Sequence, residues 1–416
     1  MIEAGVAQAE VAPPAGLAMA GFAARTAPAS GSHDALTVRA VALGSCVILV
    51  ADVIGVDRDF CARIGAALGL GPEQLMIAAS HTHGGPASMP GRLSLTADPG
   101  FMEQLAQGCI QAAKAALAAR APTRLRLGSA AEPGFAKNRR HADGPVDRVM
   151  PILRLEREDG TPYALLTICA CHPVVLGADN LLWTADYPYY FRAAIERALP
   201  GVMAITATGF CGDVNTGHSA AASLSTAPQA MRTYAQAQKM GEALAEAVLA
   251  APLERLEADH IEGSAAEVSL NFRPAQKSGA EEAAAWRAEA ASAPPQRAQI
   301  LQLWADWAEA RLDAPGPYLA QVQSFALGPV RLIGLPGEIF AQAALDLRAG
   351  LSSHPAFLFG YAGDNPGYIA PAAEYPFGGY EIDEAHRLYG LPAGFDAGSS
   401  ERLVEAALKI SRPLAA

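Results

Sequence analysis

Gln74-Leu75-Met76-Ile77-Ala78-Ala79-Ser80 runs straight into His81-Thr82-His83-Gly84-Gly85-Pro86. The first half is an apolar run of strand length, and the second is a polar turn with no place inside a core. In open α/β sheets, ligands bind outside the carboxyl ends of strands. In extended backbone, residues i and i+2 share a face, so His81 and His83 can aim into one pocket.

Outward from this point the chain keeps punctuating apolar runs with turns. Leu36–Leu43 and Ser45–Asp52 read as neighbouring buried strands parted at Gly44, and Asp59–Leu70 as a helix closed by Gly71-Pro72. Met102–Arg120 is an Ala-rich helix. The β-α-β-α order predicts an α/β fold with mixed, largely parallel central sheets flanked by helices. Further strands are expected at Arg124–Gly128, Pro151–Arg157, Ala164–Ala170, Gly201–Thr208 and His260–Phe272, with a pair at Gln321–Leu335 turning at Gly328-Pro329. Helices are expected at Tyr187–Leu199, Gln229–Ala250, Glu338–Leu351 and Ser400–Ser411. The charged stretch Gly279–Asp313 carries Trp286, Trp304 and Trp307 at helical spacing. It reads as an inserted helical hairpin split at Pro294-Pro295, its indoles packed on the body, in a position to act as a lid. Gly360–Leu391, rich in Tyr, Gly and Pro, reads as a long ordered loop. With no repeat and no linker, residues 1–416 are expected to form one elaborated domain.

Composition narrows the function. Of 416 residues, 51% are hydrophobic and 18% charged, enough for a large core and too apolar for wholesale disorder. The net charge of −11 argues against general nucleic-acid binding and against docking on anionic membrane. No apolar run reaches the ~20 residues of a membrane span. The opening Met1-Ile2-Glu3-Ala4-Gly5 lacks a signal-peptide pattern, so a cytoplasmic location is expected. The six cysteines read as small core residues, and Cys169-Ala170-Cys171 has no second pair to complete a Cys-ligated zinc site. No Gly-x-Ser-x-Gly elbow, phosphate loop or dinucleotide fingerprint is present.

Other strand ends repeat the oddity of His81 and His83. His172 follows Ala164–Ala170, and Asp213 follows Gly201–Thr208. Glu338 follows Pro336-Gly337, where a helix N-terminus would hold its carboxylate. Two or three His plus a Glu, delivered from strand ends, make the ligand set of a catalytic zinc with one position left open. Taken singly, each His reads more readily as a satisfied structural residue or a surface residue than as a ligand. The recurrence at separate strand ends carries the reading. His33, His141, His218, His260, His354 and His386 lie in loops or polar runs and read as solvated, with His141 and His218 flanking the suspected segments.

Five segments in order resemble the catalytic domain of the neutral, non-lysosomal ceramidases. Ala79-Ser80-His81-Thr82-His83-Gly84-Gly85-Pro86 is similar to their Thr-His-Thr-His-Ser-Gly-Pro motif, and Cys171-His172-Pro173 to their His-Pro segment. Gly212-Asp213-Val214-Asn215 resembles their Gly-Asp-Val-Ser-Pro-Asn turn, with Asn215 where the family has Ser, and Leu335-Pro336-Gly337-Glu338 resembles their Pro-Gly-Glu. Gly367-Tyr368-Ile369, followed by Tyr375 and Tyr380-Glu381, resembles their tyrosine-rich loop in spacing. The resemblance implies a hydrolase in which zinc-activated water attacks an N-acyl amide, ceramide-like, carbonyl. It implies His81, His172, Glu338 and Tyr368 as zinc ligands. It implies His83, Arg139 (in Asn138-Arg139) and Tyr380 as groups holding the substrate carbonyl or oxyanion. The expected partners are a small-molecule or lipid substrate. A small soluble amide, ester or lactone is an alternative substrate, and a non-catalytic binding protein on the same scaffold is an alternative of another class. The family's immunoglobulin-like domain has no counterpart after Leu391, and the 279–313 insertion has none in the family pattern.

Overall fold

Along Cys46–Ala51 every residue is buried. Val47, Leu49 and Ala51 enter one apolar cluster, while Cys46, Ile48 and Val50 enter another. A strand buried on both faces needs cover on both sides. The computed structural model describes residues 1–93, 95–219, 226–311, 315–352 and 354–411 and shows what supplies that cover.

The larger sheet is built from β1 (Ile2–Val11), β2 (Leu36–Leu43), β3 (Cys46–Ala51), β4 (Leu75–Ala79), β5 (Ala121–Ala131), β6 (Val149–Glu156), β7 (Pro162–Cys169), β8 (Met203–Thr208) and β9 (Glu254–Leu256). Its order is β8-β7-β6-β5-β1-β2-β3-β4, with β9 paired on β5. One face carries α1 (Arg58–Leu68), α2 (Pro99–Ala118), α3 (Tyr187–Ala198) and α4 (Tyr234–Ala250), through Ile64, Leu105, Ile195 and Leu244 among others. The other face meets a second sheet, β10 (Glu262–Leu270), β11 (Tyr318–Leu327), β12 (Val330–Gly334) and β13 (Ala356–Phe359). There Ile48, Met76, Leu153 and Leu166 pack against Phe325, Leu332, Phe357 and Phe359. Between β10 and β11 stands a helical hairpin, α5 (Gly279–Ala290) and α6 (Pro295–Ala310). The outer face of the second sheet is covered by α7 (Ala341–Leu351) and α8 (Ser399–Ser411), through Leu347 and Leu403. The layers run helix, sheet, sheet, helix.

The α/β class with mixed sheets is as the sequence implied. Parallel pairing is scarcer than expected: β3–β4 and β7–β8 in the first sheet, β12–β13 in the second. Each of those pairs is joined by a crossing helix, α1, α3 or α7. Short links such as Gly44-Ser45 between β2 and β3, or Gly328-Pro329 between β11 and β12, force antiparallel neighbours. Strand β1 shows little of the bulky β-former signal because it lies against α2. A Cβ on Gly5 would stand 2.4 Å from the carbonyl oxygen of Ala116. Among the described residues, no helix is long and apolar enough to cross a membrane.

Three boundaries differ from expectation. The helix expected from Gln229 starts at Tyr234, where Thr233 caps it. The helix expected from Glu338 starts at Ala341, and Glu338–Ile339 instead pairs in parallel with Tyr368–Ile369. The carboxylate of Glu338 is therefore not held by a helix N-terminus. That position is taken by Asp213, whose Oδ1 accepts from the Ala341 backbone at 2.8 Å. The expected loop Gly360–Leu391 contains that two-residue strand, a 3-10 turn at Ala372–Phe377, a π-helical turn at Tyr380–Glu384 and one turn of α-helix at Ala385–Leu388.

The hairpin forms as expected, apart from residues 312–313, which lie outside the described residues. Ser278 and Glu281 close a capping box at its start. Ala283, Ala305 and Ala308 bring its helices together, with Trp286 and Trp307 against them.

Two predictions follow from this packing. A Cβ on Gly241 of α4 would stand 2.6 Å from the backbone nitrogen of Phe191 in α3. Gly to Ala in a helix interior ordinarily stabilises by ~1 kcal/mol, but a backbone neighbour cannot move aside cheaply, and overpacking costs ~1–3 kcal/mol. Gly241→Ala should lower the midpoint of urea denaturation. His386 packs on Trp307 with ring centroids 5.3 Å apart. Burial, then the adjacent Arg387, holds its pKa down to about 3. The unfolded chain takes up this proton below pH ~6.5, so stability should fall as pH drops from about 6.5 toward 3. His386→Gln should flatten that part of a melting-temperature-against-pH curve.

Candidate metal centre

After β4 the chain turns sharply, and His81 adopts a φ of +61°, in the left-handed region a non-glycine residue seldom occupies. Its ring lies flat on Tyr361, centroids 3.9 Å apart and 12° off parallel. Its Nδ1 is 2.6 Å from the carbonyl oxygen of Ile54. A ring nitrogen that close to a carbonyl must donate, so in the neutral ring Nε2 carries the lone pair. His172, after β7, repeats the arrangement. Its Nδ1 lies 2.6 Å from the Cys211 carbonyl and 3.2 Å from that of Val214. Its Nε2 then faces Oε2 of Glu338 at 2.9 Å.

Oε2 of Glu338 is also 3.6 Å from Nε2 of His81, and Nε2 of His83 is 3.3 Å from Nε2 of His81. The side chains of His81, His172 and Glu338 are each 1% exposed. The ligand nitrogens of His81, His83 and His172 all lie within 4.8 Å of one another, a group that could hold a metal ion. Burial, then neighbouring His81, holds His83 well below the usual imidazole range. Burial likewise lowers His172 against the pull of Glu338. Burial raises a carboxyl, yet His81 and His172 outweigh it and keep Glu338 well below the carboxylate range. The carboxylate of Glu338 is thus held ionised by positive charge on its imidazole neighbours, and a divalent cation placed among the same atoms would supply that charge in their stead. Two imidazole nitrogens lie 2.9 and 3.6 Å from one carboxylate oxygen in a dry setting, where such a charge is costly to leave unpaired. The donor set fits a metal.

The other expected residues surround this point. Tyr368 is the parallel-bridge partner of Glu338, so the two side chains leave the same face. Arg139 donates through Nη2 to the Tyr368 hydroxyl at 3.1 Å and through Nε to Glu381 at 2.8 Å. Tyr380 stands edge-on to Tyr368, ring centroids 5.8 Å apart. His83 is half-buried, and Gly21 presses on it closely enough that a Cβ there would lie 2.4 Å from its Nδ1. Among the described residues that Nδ1 has no hydrogen-bond partner.

Asp213 is a brace outside the cluster. Its Oδ2 accepts from Asn138 Nδ2 at 2.7 Å, its carbonyl accepts from the Arg139 backbone at 2.8 Å, and its Oδ1 caps α7. Burial pushes its carboxyl up to about 6. His141 lies 3.0 Å from Glu374, away from the three imidazoles. Two residues escaped the sequence reading. Tyr389 donates a short hydrogen bond to Oε1 of Glu338, leaving Oε2 for the imidazoles. Glu381 anchors both Arg139 and Arg140. Glu381 sat beside Tyr380 in the tyrosine-rich loop and could have been weighed there. Nothing local marks Tyr389.

The fold belongs to a known class. A structure titled as a ceramidase complexed with C2 superposes with a TM-score of 0.73, at 17% identity, over 98% of this chain and 74% of its own length. The neutral ceramidase from Pseudomonas aeruginosa superposes with a TM-score of 0.72, at 16% identity, over 100% of this chain and 76% of its own. The chain thus has the ceramidase fold. No protein-family model and no curated protein sequence matches it.

The brace is testable without any assay of activity. Asp213→Ala leaves the Ala341 amide without its acceptor and takes from Asn138 Nδ2 one of two, the Pro145 carbonyl remaining, and a buried orphan donor costs ~1–3 kcal/mol. Asp213→Asn keeps one acceptor oxygen. Urea titration should rank wild type, then Asn, then Ala.

Proposed function

We propose that residues 1–416 form one zinc-dependent amidohydrolase domain of the neutral ceramidase type, cleaving an N-acyl amide or a related acyl bond. The observation that carries the reading is the meeting of Nε2 of His172 and of His81 with Oε2 of Glu338, three buried atoms of metal-ligating type brought together from distant strand ends. The ceramidase fold around them supports it.

In this reading His81, His172, Glu338 and Tyr368 hold the ion, with His83 within ligand reach. A zinc ion there supplies a Lewis acid that polarises a carbonyl and lowers the pKa of water toward ~7. Tyr368 must give up its proton to serve as an oxygen donor. Burial and Glu338 oppose that, and Arg139 at 3.1 Å favours it. Tyr380 is also raised by burial and by Glu338, so its hydroxyl keeps a proton to donate at neutral pH. Arg139 carries a permanent charge fixed by Glu381. With His83, these two groups would stabilise charge developing on the substrate oxygen.

A small-substrate variant of this reading keeps the same metal site and acts on a small soluble amide, ester or lactone. Arg139 also borders a polar cavity of about 580 Å³, whose walls include Lys137, Arg140, His141 and Arg148 and none of the three imidazoles.

Zinc content and turnover separate the roles. His172→Ala and Glu338→Ala should each lose most bound zinc by elemental analysis. Tyr380→Phe should keep zinc and lose ~10²–10³ in kcat. Unchanged zinc in both ligand variants would end the assignment. Long-chain N-acyl-sphingosines assayed against short N-acyl amides and lactones decide the substrate. Turnover of the long-chain lipids alone would exclude the small-substrate variant.

A further inference from the structure

The inserted hairpin reaches the loop that carries Tyr380, Glu381 and Tyr389 through one cation. The guanidinium carbon of Arg387 lies 4.3 Å from the ring centroid of Trp304, 4.9 Å from Trp286 and 5.7 Å from Trp307. Among the described residues no carboxylate stands within salt-bridge distance of Arg387, although Glu384, Glu282 and Asp383 favour its charge from further off, and its Nε is buried without a hydrogen-bond partner. Its guanidinium lies over three indole faces, an arrangement that favours a cation inside an aromatic cage. Trp307 adds a second tie, donating from Nε1 to the carbonyl of Leu391 at 2.8 Å. Between these two ties, two residues beyond Arg387, stands Tyr389, whose hydroxyl binds Oε1 of Glu338.

We infer that the hairpin is a clamp: by caging Arg387 it fixes Tyr389, and through Tyr389 it fixes the carboxylate that faces His81 and His172. Arg387 is thus a positioning residue for the metal centre, acting through a segment absent from the resemblance pattern, and the hairpin is a strut that stays closed. The inference rests on the metal reading for its last link only. The grip of the cage on residues 380–391 stands by itself.

The test uses the full-length chain and three variants: Arg387→Met, which keeps length and apolar bulk but not charge, Arg387→Lys, and Tyr389→Phe. Amide hydrogen exchange of residues 380–391 and of the hairpin should speed up at least tenfold in Arg387→Met, be partly restored in Arg387→Lys, and stay at the wild-type rate in the hairpin of Tyr389→Phe. Zn²⁺ affinity, measured by competition with a chelator, should fall ~10-fold or more in both Arg387→Met and Tyr389→Phe, the usual effect of losing a group that orients a ligand. The double variant should lose no more than the worse single one, because both act on one line. Unchanged exchange in Arg387→Met overturns the clamp. Additive losses of Zn²⁺ affinity overturn the route through Tyr389. Absence of Zn²⁺ binding in the wild-type chain refutes the metal reading and with it the last link, while the exchange data still decide whether the cage holds the loop.

Discussion

Everything at the centre of this molecule is organised around two imidazoles and a carboxylate buried face to face. Backbone carbonyls of Ile54 and Cys211 hold Nδ1 of His81 and His172, and both Nε2 atoms are left facing the carboxylate of Glu338. A dry cluster of this kind is costly unless a cation shares it. The surrounding structure is spent on preventing its escape: Tyr361 stacks on one ring, Tyr389 holds the far oxygen of Glu338, and Gly21 leaves room for the loop that presses on His83.

The residues around the cluster sort by what they touch. Arg139, Tyr368 and Tyr380 form a connected row beside Glu338. Asp213, Asn138 and the start of α7 form a second row whose work is mechanical. The same turn, Cys211 to Asn215, serves both: it braces Arg139 from behind, and its Cys211 and Val214 carbonyls orient His172. An Asp at a strand end therefore looked like a site residue in sequence and in the structure holds Asn138, the Arg139 backbone and the start of α7.

Much of this was legible in the chain. The strands β2, β3, β4 and β7 announced themselves because continuous Val, Ile and Leu runs bounded by Gly and Pro have few other uses. His81, His83, His172 and Glu338 stood out because polar groups at apolar strand ends contradict burial. What stayed hidden depended on long-range packing. β1 hides because its small residues answer to α2, not to strand propensity. Glu338 lies on a two-residue bridge, and only the distant Tyr368 decides that. Tyr389 and the caged Arg387 are single side chains in a Tyr- and Gly-rich loop, and no local pattern separates them from packing aromatics and surface arginines. The second sheet was read strand by strand, yet nothing local says that it stacks on the first.

That stacking has a consequence for durability. His81 and His172 leave the ends of the larger sheet, whereas Glu338 and Tyr368 come from the half built on the smaller one, so the cluster sits across the seam between them. An ion bound there would add a rivet between two layers joined by apolar contact and by a few hydrogen bonds, such as Gln323 Nε2 to the Leu75 carbonyl. Free energy gained from occupancy grows with the logarithm of free ion over its dissociation constant. On the proposed metal reading, the stability of the fold would track metal supply, and loss of the ion would loosen the sandwich.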